Sequence, residues 1–160
     1  MRLAAIFAIT ASLFTTPAYA EDSDHVSELG EVRLLHGWAR EPEGHGDTLQ
    51  VYFELEHNGA TPATLTGAAS EIATSAQVMA ASLKAGETPV VLGTFPLTPG
   101  EHFDLGPETV FIQLGGITDH LHEGDEIEMT VAIEPFGEVE LHVEILDHDA
   151  DNHAHAGHNH

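Results

Sequence analysis

The sequence predicts an all-β protein, an antiparallel sandwich or Greek-key barrel, over residues 31–146 of this 160-residue chain. Apolar residues recur with period two in run after run, the signature of strands with one buried face. Gly, Pro and Asn clusters break those runs at short intervals, and no stretch shows the 3.6-residue period of an amphipathic helix.

The elements follow in order. Val32 to Trp38 is the first expected strand. Leu49, Val51, Phe53 and Leu55 then share one parity, with Gln50, Glu54 and Glu56 on the other. Shorter strands are expected over Ala63 to Ala69, Ala76 to Leu83, Val90 to Phe95 and Thr109 to Leu114. Ile127, Met129, Val131 and Ile133 form the next regular run. The cleanest closes the domain: Val139, Leu141, Val143 and Ile145 face inward while Glu140, His142 and Glu144 face out. Pro135-Phe136-Gly137 between the last two runs reads as a hairpin connection. The remaining breakers are Pro42 with Gly44 and Gly46, Asn58-Gly59, Lys84 to Pro89, Pro99-Gly100 and Gly106-Pro107. Roughly seven to nine short strands at this spacing suit a sandwich.

Residues 1–20 read as a secretory signal: Arg2 at the start, an apolar run from Leu3 to Phe14, and Ala18-Tyr19-Ala20 as a small-x-small cleavage site before Glu21. The apolar run is too short to span a bilayer comfortably, and no later stretch could cross one. A periplasmic protein is expected, with 21–30 as an N-terminal segment, 31–146 as the domain and 147–160 as a tail. About 140 residues can bury some two thirds of their unfolded surface without crosslinks. With no cysteine, the chain has neither disulfide nor thiolate, so metal ligands are limited to His, Met and carboxylate.

Acidic residues number 27 against four basic ones, for a net charge of −23. Such a surface repels nucleic acid and anionic lipid and attracts cations or a basic partner. It also serves plain solubility.

The tail carries His148, His153, His155, His158 and His160 beside Asp149 and Asp151, with almost nothing apolar to bury. It cannot fold alone and is expected to be disordered, but it can chelate. Asp, Asn, Ala and Gly interrupt the histidines, unlike an expression tag. Within the domain, His120-Leu121-His122 sends two imidazoles to one side if extended. Convergence with His102 or His45 would assemble three nitrogens suited to zinc or Cu(II), the bland reading being unrelated exposed histidines. His142 lies on a solvent parity, Met129 on an apolar one, and Trp38 at the end of an apolar run, so all three read as surface or packing residues. His25 is the fifth residue after the expected cleavage, not the third that a tight amino-terminal Cu(II) site needs.

Three stretches together resemble the periplasmic copper chaperone family PCuAC. They are Leu35-His36-Gly37-Trp38-Ala39-Arg40 with Val51 to Leu55 and Asn58-Gly59, then Leu105 to Leu114, then Leu121-His122-Glu123-Gly124-Asp125 with the closing hairpin. The resemblance implies a cupredoxin-like β-sandwich that holds Cu(I) with two His and two Met and helps load the copper centre of cytochrome oxidase. It also implies that this chain has departed at the ligands. Phe111 and Gln113 stand where the family has His-x-Met, and only Met79 lies near another ligand position. A divergent member is expected, whose metal, copper as Cu(II) or Cu(I) with zinc as rival, is held mainly by the tail. Its expected partners are the metal ion and an oxidase-assembly or other copper-handling protein. The alternative is a protein-interaction module with an incidental tail. No nucleophile elbow, H-E-x-x-H helix or glycine-rich nucleotide loop points to an enzyme.

Overall fold

The computed structural model describes residues 26–44, 46–82 and 87–151. Among these every regular element is a strand: β1 (Val26–Leu29), β2 (Val32–Arg40), β3 (Thr48–His57), β4 (Ala63–Ala69), β5 (Ser75–Ala80), β6 (Val90–Val91), β7 (Phe95–Leu97), β8 (His102–Leu105), β9 (Val110–Gly115), β10 (Glu126–Glu134) and β11 (Gly137–Leu146). They form one curled sheet in the order β6-β5-β9-β3-β2-β11-β10-β4-β7, with β1 paired to β2 and β8 to β3. Curling folds the sheet over a core that includes Leu34, Val51, Phe53, Leu65, Ile112, Val131 and Val143.

The expected strands are present, except that the one expected over Ala76 to Leu83 ends at Ala80 and Leu83 lies outside the described residues; three further differences stand out. First, Val90 to Phe95 is not one strand. Gly93, at φ 77°, turns the chain between β6, which pairs with β5, and β7, which pairs with β4. Second, β1 and β8 are additional. Third, the sheet is mixed: β11 runs parallel to β2 from Val143↔Gly37 to Leu146↔Arg40. The closing hairpin lies where Pro135-Phe136-Gly137 predicted it.

Two strands change partners midway, which is what curls the sheet. β2 pairs with β1 through Val32 to Leu35 and with β11 from Gly37 onward. β3 pairs with β9 through Thr48 to Val51 and with β8 through Phe53 to Glu56. The switch in β2 falls on a bulge, where the register with β3 shifts between Leu35 and Trp38. His36 sits there at φ 52°, the sole non-glycine residue with positive φ among the described residues. A left-handed histidine in a strand stores strain on the order of 1–3 kcal/mol. Gly37 follows because β11 crosses so closely that a Cβ would run into the backbone carbonyl of His142.

Among the described residues, His57 is the one buried polar side chain, at 1% exposure. Its Nε2 faces the Thr61 carbonyl at 2.7 Å and its Nδ1 accepts from the Gly59 N–H at 3.3 Å. Both ring nitrogens are thus committed to the β3–β4 turn, and the residue is structural. Glu31 holds the same turn by accepting from Thr61 N–H at 2.9 Å and Ala60 N–H at 3.1 Å. The Thr61 bond is the main reason that its carboxyl titrates below the usual value.

The crossing at Gly37 gives a first prediction. Gly37→Ala should lower the unfolding free energy by about 2 kcal/mol or more in urea denaturation. Gly67→Ala in β4, where an added Cβ meets nothing within 4 Å, should stay within about 0.5 kcal/mol.

Candidate metal centre

On the outer face of the sheet, away from the main core, four neighbouring strands each contribute one large side chain to a second buried cluster: Met79 from β5, Phe111 from β9, Tyr52 from β3 and Trp38 from β2. Met79 and Phe111 are cross-strand partners, as are Trp38 and Tyr52. The Trp38 and Tyr52 rings are 4.5 Å apart, and Tyr52 meets Phe111 edge-on at 6.2 Å. Along the same strands, Gln77, Gln113 and Gln50 make a parallel amide row, and the Tyr52 hydroxyl donates to Gln50 Oε1 at 2.6 Å. Met79 is only 6% exposed, so its thioether is enclosed by rings. Phe111 and Gln113, where the resemblance expects imidazole and thioether, offer a phenyl ring and an amide.

The C-terminal segment closes over this row. Ala150 and Leu146 pack against the cluster. Arg40 Nε donates to the Ala150 carbonyl at 2.6 Å, and Arg40 also pairs with Asp151 at 3.4 Å. The beginning of the expected flexible tail, Asp147 to Asp151, is therefore fixed on the domain, because Arg40 and the apolar row give it partners that its own sequence lacks. His148 stands between Asp147 and Asp149, at 3.4 and 3.3 Å, and one ligand atom from each of the three lies within 4.8 Å of the others. His153, His155, His158 and His160 lie outside the described residues, as do His25 and His45.

The loop histidines are split from His102. His120 and His122 line one open recess with Glu41, and His122 Nδ1 is 3.1 Å from Glu41 Oε1. That recess lies at the Thr48 end of β3, where Ile117 N–H bonds the Asp47 carbonyl. His102 pairs with Glu56 at the opposite end. Positions 48 and 56 of a strand are roughly 26 Å apart at about 3.3 Å per residue, so His102 does not converge with His120 and His122, as the reading of unrelated exposed histidines had it.

His102 instead faces Glu54 (Nε2 to Oε2, 3.6 Å), and the other oxygen of Glu54 faces His36 Nδ1 at 3.3 Å. Sequence reasoning did not single out His36 or Glu54. The one signal was a fault in alternation: Leu34 and Ala39 both enter the main core, although their separation is odd. A second hairpin group, Glu128, Glu140 and His142, brings ligand-type atoms within 4.8 Å, but it lies on an open face where carboxylates serve as surface charge.

These features define a cupredoxin-like β-sandwich with a row of aromatic and amide side chains on its outer face. The chain belongs to the LpqE-like lipoprotein family, whose model matches residues 32–145. Its fold is that of PCuAC domains. It is similar to the apo PCuAC domain from PmoF1, at 28% identity and TM-score 0.66 over 77% of this chain and 99% of that one. It is also similar to the copper-bound PCuAC domain from PmoF2, at 23% identity and TM-score 0.66 over 77% and 98%. Cu(I)-bound DR1885 from Deinococcus radiodurans shares the fold at 16% identity and TM-score 0.56 over 85% and 90%. No curated protein matches the chain.

Two measurements test the assignment of the row to packing. Met79→Ala should cost about 2–5 kcal/mol of stability, the range for a vacated core site, while leaving metal stoichiometry unchanged in a titration. Burial pushes the Tyr52 phenol above its ordinary value of 10.0, against a smaller opposite pull from Arg40. A raised folded value means that the contribution of Tyr52 is complete below about pH 10 and is lost as pH climbs through the folded value. Tyr52 is the only tyrosine after Tyr19, so phenolate absorbance of the chain from Glu21 should appear late and together with unfolding.

Proposed function

We propose that this protein is an exported copper-binding carrier or buffer of the chaperone type, accessory to copper-site assembly in cytochrome oxidase. It takes its metal mainly through the histidine-rich segment from His148 to His160. It is a binding protein, not an enzyme. The observation that carries the reading is the fixed beginning of that segment, where Asp147, His148 and Asp149 already present three ligand atoms within 4.8 Å. The four imidazoles that follow in sequence multiply the same donor chemistry. The likeness to a copper-bound PCuAC domain supports copper as the metal.

Imidazole and carboxylate donors favour divalent ions over Cu(I), and among those Cu(II) over zinc. The absence of sulfur in the segment therefore points to Cu(II). Residues 1–20 direct export to the periplasm. Since the sequence contains no cysteine, it offers no thiol for a lipid.

One observation favours the interaction-module reading as a second role. Val90, Val91 and Leu92 are exposed apolar residues on and beside the short edge strand β6, a surface suited to a partner protein.

The test compares residues 21–160 with a form ending at Asp151, which preserves the Arg40 clamp, using Cu(II), zinc and, under reductant, Cu(I). The longer form should bind more equivalents of Cu(II) and prefer it to zinc. Affinity should fall as pH drops through about 6.5, where imidazole is protonated. Equal stoichiometry in the two forms, or binding indifferent to acid, would contradict the reading.

A further inference from the structure

The turn that presents Asp147, His148 and Asp149 is held from both ends. Before it, the Leu146 carbonyl accepts from the Glu41 N–H at 2.8 Å, just beyond the last β2–β11 pair, Leu146↔Arg40. After it, the Ala150 carbonyl accepts from Arg40 Nε at 2.6 Å, and Asp151 pairs with the same guanidinium at 3.4 Å. Within it, Ala150 N–H donates to the Asp147 carbonyl at 3.0 Å and Asp149 N–H to Asp147 Oδ1 at 2.9 Å. Leu146 and Ala150, on either side of the three ligand residues, both pack against the aromatic row.

The internal bonds of the turn do not hold it alone. Asp147 to Asp151 contains one apolar residue, Ala150, and the Asp149 to Asp147 bond is exposed to competing water. A segment with so little to bury does not offset the entropy of keeping one conformation. Arg40 supplies what the segment lacks. It is half-buried at the end of β2, and its planar guanidinium donates both to a carbonyl and to a carboxylate, the stronger, charge-assisted kind of hydrogen bond.

Order in the turn bears directly on capture. Three ligand atoms within 4.8 Å serve one ion only while the turn keeps them together, and apparent affinity scales with the fraction of the chain in that form. By the same linkage, an ion that binds the closed turn alone also holds it closed.

We infer that Arg40 is the positioning residue of the metal-capturing segment: its clamp on Ala150 and Asp151 keeps Asp147, His148 and Asp149 in one binding geometry, and the bound ion in turn holds the segment on the aromatic row. The inference rests on the reading of this segment as the metal-binding one, and adds a residue outside the donor set and a coupling between metal and fold. Its sign separates it from plain electrostatics. A guanidinium near a cation site repels the ion, so on charge alone the loss of Arg40 would tighten binding. Positioning demands the reverse.

The test uses residues 21–160 with His153, His155, His158 and His160 changed to Asn, which leaves His148 as the segment's imidazole. Arg40→Gln and Arg40→Lys are compared in this background, with Ile133→Val as a variant mildly destabilised in the main core. Trp38, the only tryptophan and a member of the covered row, reports on the segment through acrylamide quenching. Arg40→Gln should bind Cu(II) and zinc about tenfold more weakly than the background. Arg40→Lys, which keeps the charge but not the planar fork, should lose about threefold, and Ile133→Val should lose nothing. Without metal, Trp38 in Arg40→Gln should be more open to acrylamide, and saturating zinc should restore its shielding. Unchanged or tighter binding in Arg40→Gln, an equal loss in Ile133→Val, or Trp38 access that zinc does not alter would overturn the clamp and leave the tail reading standing. A background that binds no ion while the unmodified chain does would also overturn it, leaving the four later histidines as donors. An unmodified chain that binds neither Cu(II) nor zinc would remove the tail reading itself, and this inference with it.

Discussion

The close crossing of β2 and β11 at Gly37 is the constraint on which the rest of the structure depends. There β2 stops pairing with β1 and begins its parallel run beside β11, with the His142 carbonyl against the Gly37 Cα. A bulge absorbs the change of register and forces the preceding residue, His36, into a left-handed conformation. Its consequences run in both directions along the strand. Beyond the bulge, Ala39 enters the main core while Trp38 turns to the outer face and joins the second cluster. At the bulge itself, the His36 ring comes to face Glu54. One backbone irregularity therefore sets both the packed row and the titratable recess beside it.

The outer face is closed by side-chain packing. Met79, Phe111, Tyr52 and Trp38 form a continuous apolar contact across four strands, and the chain's own C-terminal segment covers it under the Arg40 clamp. Closing that face with rings removes access to the Met79 sulfur. Close by, the Asp147 to Asp149 segment brings three ligand-type groups together. In a chain of net charge −23 with four basic residues, cations are the natural counterparts of such a group.

Much of this was legible in the sequence, and the reasons differ by element. The strands β3, β10 and β11 are long and buried on one face, so alternation alone marks them. β1, β6, β7 and β8 have two to four residues each, too few for a period to show, and only pairing with distant strands defines them. The parallel β11–β2 pairing is a tertiary fact with no local signature. At the site, the residue types at Phe111 and Gln113, where the resemblance would place ligands, are read directly from the sequence. The link of His36 to His102 through Glu54 was not, since it depends on the bulge and on three strands meeting at one end of the sheet.

The central claim is that this domain keeps the PCuAC fold but binds metal without sulfur. X-ray absorption of the copper-loaded full chain tests it directly. The sequence contains no cysteine and three methionines, of which Met79 alone lies in the row where the resemblance places ligands. The account predicts a first shell of nitrogen and oxygen only, at about 2.0 Å, with imidazole scattering beyond it. A sulfur shell at longer distance would show Met79 coordinating the ion and would contradict the assignment of the aromatic row to packing.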